Sequence, residues 1–255
     1  CNFAKGACVL SQVIAVVSGK GGTGQTSFVS LTGAALSQLG KKTLVLDCDI
    51  GLRNLDLYLG LTDRALMDFS DVIDGRATLD EAVVQHPRFP NLYLLTAPVR
   101  LCGEDIQARD FAALLRTVRE QYDCCLIDAA AGLGSAFRLA AGSADRVIVV
   151  TTTEPSSLRD AQRTVMELHR FPQGKLHLVV NRVRRKLLKS LHATIDDAID
   201  TAGLPLLGVI PEDEEVPSCL GRGELSALDS YSGACRACRN IARRICGERT
   251  ALMKL

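Results

Sequence analysis

The feature that most constrains this sequence is a glycine-rich loop between a buried strand and a helix. Val13–Ser18 is continuous, apolar and β-branched, which predicts a strand covered on both faces. A helix is predicted from Thr26 to Leu39, and Gly40 is placed to end it. The loop Gly19–Thr26 between them reads GKGGTGQT. Such a loop is expected to bind phosphate, because glycine lets backbone N–H groups turn inward at the positive end of a helix.

Short buried strands and amphipathic helices alternate along the rest of the chain. We predict further strands at Thr43–Asp47, Leu92–Thr96, Cys124–Asp128, Arg146–Thr151, Leu176–Asn181 and Leu206–Ile210. We predict further helices at Asp105–Gln121, Ser156–Arg170, Leu188–Thr201 and Ser232–Cys246. This alternation predicts an α/β fold, a single doubly wound, mainly parallel sheet with helices on both faces. The predicted domain spans 12–247, between an extension at 1–11 that is disordered or foreign to the fold and a C-terminal tail at 248–255.

Composition excludes several classes of protein. The 30 Lys and Arg residues nearly balance the 29 Asp and Glu residues, so a general attraction to nucleic acid is not expected. The sequence has no run of about 18 apolar residues that would predict a membrane span. The 10 cysteines follow no signal-peptide pattern, which indicates reduced thiols in the cytoplasm.

The loop departs from the usual phosphate-binding pattern at one position. It matches G-x-x-x-x-G-K-[ST], except that Gln25 stands where the pattern has lysine. A charge-assisted hydrogen bond is about twice as strong as a neutral one, so triphosphate binding should weaken by about 1–3 kcal/mol. Charge that develops during phosphoryl transfer should also be less stabilised. Thr26 is expected to offer its hydroxyl to Mg²⁺. The sequence therefore predicts nucleotide binding with impaired hydrolysis.

Acidic residues follow two of the predicted strands. Asp47 and Asp49 lie two residues apart on an extended segment, so their carboxylates are expected to point the same way. One can hold a water bound to Mg²⁺, and the other can orient an attacking water. Asp128 ends a later strand. Doubly wound sheets bind ligands at the carboxyl ends of their strands, where these side chains should meet the glycine loop.

The early lysine of the loop, Lys20, makes the pattern K-G-G-x-G-x-T, which resembles the MinD/ParA family of deviant Walker A ATPases. Further motifs occur in the same order as in this family, and several of them most resemble the MinD branch. They are DIGLRNLD from Asp49, D-x-x-x-G from Asp128 to Gly132 with the family's proline absent, EPSSLRD from Glu154, Asn181-Arg182, and Ile210–Asp213. The resemblance runs from Gln12 to Cys246, nearly the whole chain.

This resemblance implies an ATPase that binds ATP or ADP with Mg²⁺ and forms a homodimer on ATP binding. It implies that Lys20 reaches the partner's phosphates, that Asp49 positions water, and that Asp47 supports the metal. The implied catalytic residues are Lys20, Asp47, Asp49 and Asp128, and the implied Mg²⁺ site is Thr26 with Asp47 and Asp128 through water. The implied nucleotide contacts are Gly19, Lys20, Gly21, Gly22, Thr23, Gly24, Gln25, Thr26, Ser27, Asn54, Gly132, Glu154, Asn181, Pro211 and Asp213.

The resemblance also implies a role in placing the cell division site, with division regulators of the MinC and MinE kind as partners. It implies a cytoplasmic protein with peripheral contact to the inner face of the cell membrane. MinD proteins end in a Lys-rich amphipathic helix that docks on the membrane. Here only Leu252, Met253 and Leu255 are apolar at the end of the chain, which makes a poor anchor.

Several alternatives remain open at this stage. They are a non-hydrolysing nucleotide-binding scaffold, a flagellar-number or ParA-like relative, and an iron–sulfur carrier that uses Cys235 and Cys238. Cysteines at this spacing, with Cys246 further along the same helix, also suit a buried stripe. Ser156 is either part of a dimer face or a plain helix N-cap. A basic cluster binds an anionic partner or is a solvated helix face; it comprises Arg182, Arg184, Arg185, Lys186 and Lys189.

Overall fold

Eight strands form a single sheet in the described part of the chain. The computed structural model describes residues 11–99, 106–184, 195–225 and 233–253. The strands are β1 (Gln12–Val17), β2 (Thr43–Cys48), β3 (Val84–Gln85), β4 (Leu92–Leu95), β5 (Cys124–Ala129), β6 (Arg146–Thr151), β7 (Leu176–Val183) and β8 (Leu206–Pro211). Their order is β3-β4-β2-β5-β1-β6-β7-β8, and the β3–β4 pair alone is antiparallel. The predicted α/β fold with a mainly parallel sheet is confirmed.

Helices cover both faces of this sheet. They are α1 (Gln25–Gln38), α2 (Leu55–Tyr58), α3 (Phe69–Ile73), α4 (Leu79–Ala82), α5 (Ala108–Gln121), α6 (Ser135–Ser143), α7 (Pro155–Glu167), α8 (Ile195–Ala202), α9 (Glu215–Gly221) and α10 (Gly233–Ile245). Successive residues of β1 alternate between two apolar cores, because strand side chains point to opposite faces. Val13 joins the core beneath α5, α6, α7 and α8, whereas Ile14 joins the core beneath α1 and α10.

The sequence missed the short elements. Strand β3 has two residues, and α2, α3, α4, α6 and α9 have four to nine residues each. Local side-chain contacts start some of them; in α4, Thr78 and Glu81 form a capping box. Three predicted helix N-termini lie outside the described residues, at Asp105, Leu188 and Ser232. Residues 1–10 of the predicted extension and residues 254–255 of the tail also lie outside them.

Helix α1 carries the phosphate loop and is buried on nearly all sides. It begins at Gln25 and packs between the sheet and α10. Gly33 permits the close approach of this helix to β2, because a Cβ built there would lie 2.6 Å from Cγ1 of Val45. At its end, Gly40 has φ +77° and donates its N–H to the carbonyl of Ser37, as predicted for a helix stop. Within the described residues, the search for a helix long and apolar enough to cross a membrane found none.

The close packing at Gly33 generates a test of the fold. We expect Gly33→Ala to lower the free energy of unfolding by about 1–3 kcal/mol, because overpacking must displace Val45. The matched control is Gly142→Ala in α6, where a Cβ meets nothing within 4 Å. Helix propensity predicts a gain of about 0.5–1 kcal/mol for that control. Urea denaturation measures both values, and equal effects of the two substitutions would show that α1 is not pressed against β2.

Candidate nucleotide-binding site

The glycine loop between β1 and α1 has the backbone conformation of an anion cradle. Gly22 has φ +81° and Gly24 has φ +80°, a region that glycine occupies without strain. Gly24 is the N-cap residue of α1. A Cβ added at Gly21 or Gly22 would meet nothing within 4 Å, so the mouth of the loop has room for a ligand. The buried hydroxyl of Thr23 has no hydrogen-bond partner among the described residues. The predicted phosphate loop therefore has a shape and an unsatisfied polar group that fit a bound anion.

Neighbouring segments hold this loop in place. The hydroxyl of Ser18 donates to the carbonyl of Lys20 at 3.0 Å. The N–H of Gly132 donates to the carbonyl of Ser18 at 2.9 Å, and Gly132 has φ +92°. On the other side, Nδ2 of Asn181 donates to the carbonyl of Thr23 at 2.8 Å. Gly132 and Asn181, both predicted nucleotide contacts, thus lie against the loop itself.

Gln25 faces the acidic side of the site rather than the mouth of the loop. Its Nε2 donates to Oδ1 of Asp128 at 2.7 Å and to the carbonyl of Ala129 at 2.5 Å. The hydroxyl of Thr26 also donates to Asp128. The amide orientation of Gln25 is fixed, since a flip would set its oxygen against two other acceptors. Its Oε1 is buried and has no partner among the described residues.

The predicted aspartates come together at the carboxyl ends of β2 and β5. Asp47 of β2 is the register partner of Asp128 of β5. Both are buried, with exposed fractions of 1% and 3%. Asp47 accepts the N–H groups of Asp49 at 2.8 Å and Leu55 at 3.1 Å. Asp49 follows the strand and is half-buried, which leaves one carboxylate of the three open to solvent.

Burial raises the pKa of each of these carboxyl groups. Desolvation raises the pKa of Asp128 to about 7, helped by the negative charge of Asp47 and opposed by the hydrogen bonds from Gln25 and Thr26. Desolvation raises the pKa of Asp47 to about 6 against its two backbone hydrogen bonds. Burial also raises the pKa of Asp49. A site with three close carboxyl groups and no lysine at position 25 favours a divalent cation, which would stabilise their charged forms.

Lys20 reaches across the loop to the start of α7. Its Nζ lies 2.9 Å from Oγ of Ser156 and 3.3 Å from Oε2 of Glu154. Both acceptors are exposed. Helix α7 begins at Pro155, and its N-cap residue is Glu154, so the interpretation of Ser156 as the N-cap is wrong. The structure therefore joins two sequence motifs, the loop lysine and the EPSSLRD segment, at one surface.

An open cleft of about 1110 Å³ extends from the loop between β7, β8 and α10. Its walls include Gly24, Ser27, Asn181, Pro211 and Asp213, all predicted nucleotide contacts. Apolar surface from Phe28, Leu31, Ile210 and Val216 lines the same cleft. An aromatic base suits such a space, because small-molecule clefts combine apolar walls with a few polar groups. A ligand with a base in the cleft and phosphates at the loop would contact both ends of the site.

Other predicted residues lie apart from this constellation. Asn54 is exposed before α2, outside the contacts described above. Cys235 and Cys238 have an exposed fraction of 0% in the core beneath α10, so neither can hold a cluster shared between subunits, and the iron–sulfur alternative is wrong. The helix-face interpretation is wrong for Arg182 and Arg184, which lie at the end of β7. Arg185, Lys186 and Lys189 lie outside the described residues.

Comparison with known proteins agrees with this geometry. The family model described as an AAA domain matches residues 11–178. The septum site-determining protein MinD of Synechocystis is 38% identical over 241 residues, which cover 94% of this chain and 91% of that protein. The MinC:MinD cell division protein complex of Aquifex aeolicus matches with a TM-score of 0.88 and 34% identity, over 96% of this chain and 99% of that chain. MinD of Pyrococcus horikoshii, complexed with Mg-ADP, matches with a TM-score of 0.78 and 30% identity, over 92% and 96%.

The chain belongs to the MinD/ParA family of deviant Walker A ATPases. Its similarity to MinD proteins spans nearly the full length of both chains, so the predicted resemblance is confirmed. Two hydrogen bonds in the site were not predicted from the sequence. Arg182 donates to the carbonyl of Gly22, and Gln25 binds Asp128. Neither contact has a sequence signal, because each depends on how separate strands are aligned.

The raised pKa values predict how stability depends on pH in this member of the MinD/ParA family. A carboxyl group with a raised pKa stabilises the folded state while protonated, and that stability is lost as pH rises towards the folded pKa. With the pKa of Asp128 raised to about 7 by burial, we expect the Mg²⁺-free protein to lose stability as pH rises from about 4 to about 7, at on the order of 1 kcal/mol per pH unit. Asp128→Asn should remove that loss, as measured by urea denaturation. A variant with the same pH dependence as the original chain would contradict the assignment.

Proposed function

We propose that this chain is a MinD-type nucleotide switch, which binds Mg-ATP and Mg-ADP and pairs with a second copy of itself when ATP is bound. The observation that carries this proposal is the phosphate loop set beside the paired carboxylates Asp47 and Asp128. The Mg-ADP complex of the Pyrococcus horikoshii relative supports it. The names of the relatives support an action in choosing the septum site, and the MinC:MinD complex supports a partner of the MinC kind.

Each part of the site has a physical task in this proposal. Backbone N–H groups of Gly19–Thr26 would surround the β-phosphate, and the start of α1 adds the positive end of its dipole. Mg²⁺ would be held by Thr26 and, through water, by Asp47 and Asp128, and it would neutralise phosphate charge. Asp49, the half-buried carboxylate, would orient a water molecule. The cleft beside Pro211 would take the base.

Dimer formation would redirect Lys20. In the described chain its ammonium group binds Ser156 and Glu154 at an exposed surface, where ion pairs contribute little stability. The phosphates of a nucleotide bound to a second copy would offer a stronger partner. Asn54 and Glu154, both exposed, would then lie at the contact between subunits. The exposed position of these groups supports a face-to-face dimer.

The contacts of Gln25 are the reason for proposing that this chain hydrolyses ATP slowly. Its Nε2 is already bound to Asp128 and Ala129, so it offers phosphate no donor in this arrangement. Rotation towards phosphate would leave the buried carboxyl group of Asp128 without this bond. The same observation favours a second candidate, a scaffold that binds nucleotide and does not hydrolyse it. The two candidates differ in whether they hydrolyse ATP, and both bind the nucleotide.

We place the protein in the cytoplasm, at the inner face of the cell membrane when dimeric. The family supports this placement, and the described tail gives it limited support. Leu252 is 50% exposed, and Met253 packs partly against the core beneath α10. Leu255 lies outside the described residues.

The test combines turnover with oligomeric mass. We expect the original chain to double its mass with Mg-ATP and to hydrolyse slowly, because no cation at position 25 stabilises the developing charge. Gln25→Lys should raise the hydrolysis rate at least about tenfold, since removing one such donor from an enzyme costs more than that. Gln25→Met is the matched control, because it removes the same hydrogen bonds and adds no charge. Phosphate release and light scattering measure the two outputs.

Two outcomes would contradict parts of the proposal. If Gln25→Lys and Gln25→Met hydrolyse equally slowly, the account of position 25 is wrong, although the switch itself stands. If neither the original chain nor Gln25→Lys binds any Mg-nucleotide, the proposed function fails.

A further inference from the structure

The carboxyl end of β7 departs from regular strand geometry next to the phosphate loop. The register between β7 and β8 shifts between Val180 and Val183. Within that interval Arg182 has φ +55°, a left-handed conformation that is uncommon for residues other than glycine. Strain of this kind persists where the surrounding structure enforces it, and it concentrates at functional sites. Bulges in strands also change the direction of side chains.

The irregularity brings two successive side chains onto the same loop. In a regular strand, neighbouring side chains point to opposite faces. Here Nδ2 of Asn181 lies 2.8 Å from the carbonyl of Thr23, and Nη1 of Arg182 lies 3.0 Å from the carbonyl of Gly22. Oδ1 of Asn181 also accepts the N–H of Arg182 at 2.9 Å. We call these two residues, Asn181 and Arg182, the loop clamp.

The loop clamp acts on the carbonyl side of the peptide groups. Each peptide group is planar, and its C=O and N–H point in opposite directions. Drawing the carbonyls of Gly22 and Thr23 towards β7 therefore turns the N–H groups of the following residues away from β7. Successive N–H groups turned inward form the concave anion site of a phosphate loop. The two hydrogen bonds of the clamp hold the loop in this conformation through contacts within the chain.

Arg182 also brings positive charge to the loop. Arg182 and Arg184 both bind the carboxylate of Glu212, Arg182 through Nη2 at 3.2 Å and Arg184 through Nη2 at 3.0 Å. Two guanidinium groups share this carboxylate, and Arg182 is the one that touches the loop. This charge lies beside a loop in which Gln25 replaces the usual cation.

We propose that Arg182 is a positioning residue for the polyphosphate, which holds the phosphate loop open through Gly22 and partly offsets the charge absent at position 25. The inference rests on the proposed nucleotide binding and adds to it a residue outside the loop. The left-handed backbone at position 182 is then the structural cost of bringing Asn181 and Arg182 to the loop together.

Three variants separate this role from a structural one. Arg182→Gly removes the side chain and relieves the left-handed strain, so it should unfold at the same temperature as the original chain or higher. Its dissociation constant for Mg-ADP should nevertheless rise about tenfold, the effect of one charge-assisted hydrogen bond. Arg182→Lys keeps a cation, so its dissociation constant for Mg-ADP should lie between those of the original chain and Arg182→Gly. Arg184→Gln is the matched control, because it loses a bond to Glu212 and leaves the loop untouched.

Calorimetric titration with Mg-ADP and amide hydrogen exchange of the loop without ligand are the measurements. The inference predicts faster exchange of the Gly21–Gln25 amides in Arg182→Gly and unchanged exchange in Arg184→Gln. It is overturned if the two variants bind Mg-ADP within about twofold of each other or if loop exchange is the same in both. An original chain that binds no Mg-ADP would overturn the proposed function and this inference together, whereas binding that is equal in all variants would overturn this inference alone.

Discussion

Two buried carboxyl groups, Asp47 and Asp128, lie side by side at the ends of neighbouring strands, and the rest of the site depends on how their charge is balanced. The parallel register of β2 and β5 makes them partners, and the cores on both faces of the sheet keep water away. Burial therefore raises the pKa of both groups into the range of roughly neutral pH. Gln25, a neutral side chain that donates to Asp128, occupies the position at which the phosphate-loop pattern has lysine. The chain itself therefore supplies no cation at position 25 to balance these two carboxyl groups.

Mg²⁺ with a nucleotide would supply that charge, which links ligand binding to the stability of the fold. The phosphate loop, the hydroxyl of Thr26 and the carboxylates lie close enough to act on one ligand, and the cleft beside Pro211 accommodates a base. Anything that binds the folded chain and not the unfolded chain stabilises it. The neutral amide of Gln25 is bound inward to Asp128 and Ala129, and this contact is the basis of the slow hydrolysis that we propose.

Much of the fold follows from the sequence, because long buried strands and helices carry strong local patterns. VIAVVS, TLVLD and RVIVVT each predicted a strand that the structure contains. The loop and Asp128 could be located because their chemistry lies at fixed points relative to those strands. Strand β3 and the short helices escaped prediction, since two to nine residues carry too little periodicity and depend on tertiary contacts.

Contacts that depend on the alignment of distant segments could not be predicted. Gln25 and Asp128 are 103 residues apart, and Arg182 and Gly22 are 160 apart. The left-handed backbone at Arg182 has no local signal, because neither glycine nor asparagine marks that position. The cysteines of α10 lie on a helix face buried in the core, as the buried-stripe interpretation of their spacing predicted, and not in a metal site.

The most direct test of the central claim is a crystal structure of the chain with Mg-ADP. The account predicts the β-phosphate inside Gly19–Thr26 within hydrogen-bond distance of the loop N–H groups. It also predicts Mg²⁺ on the hydroxyl of Thr26 with waters on Asp47 and Asp128, and the base beside Pro211. Density for the nucleotide at another place, or crystals that hold none at saturating Mg-ADP, would contradict it.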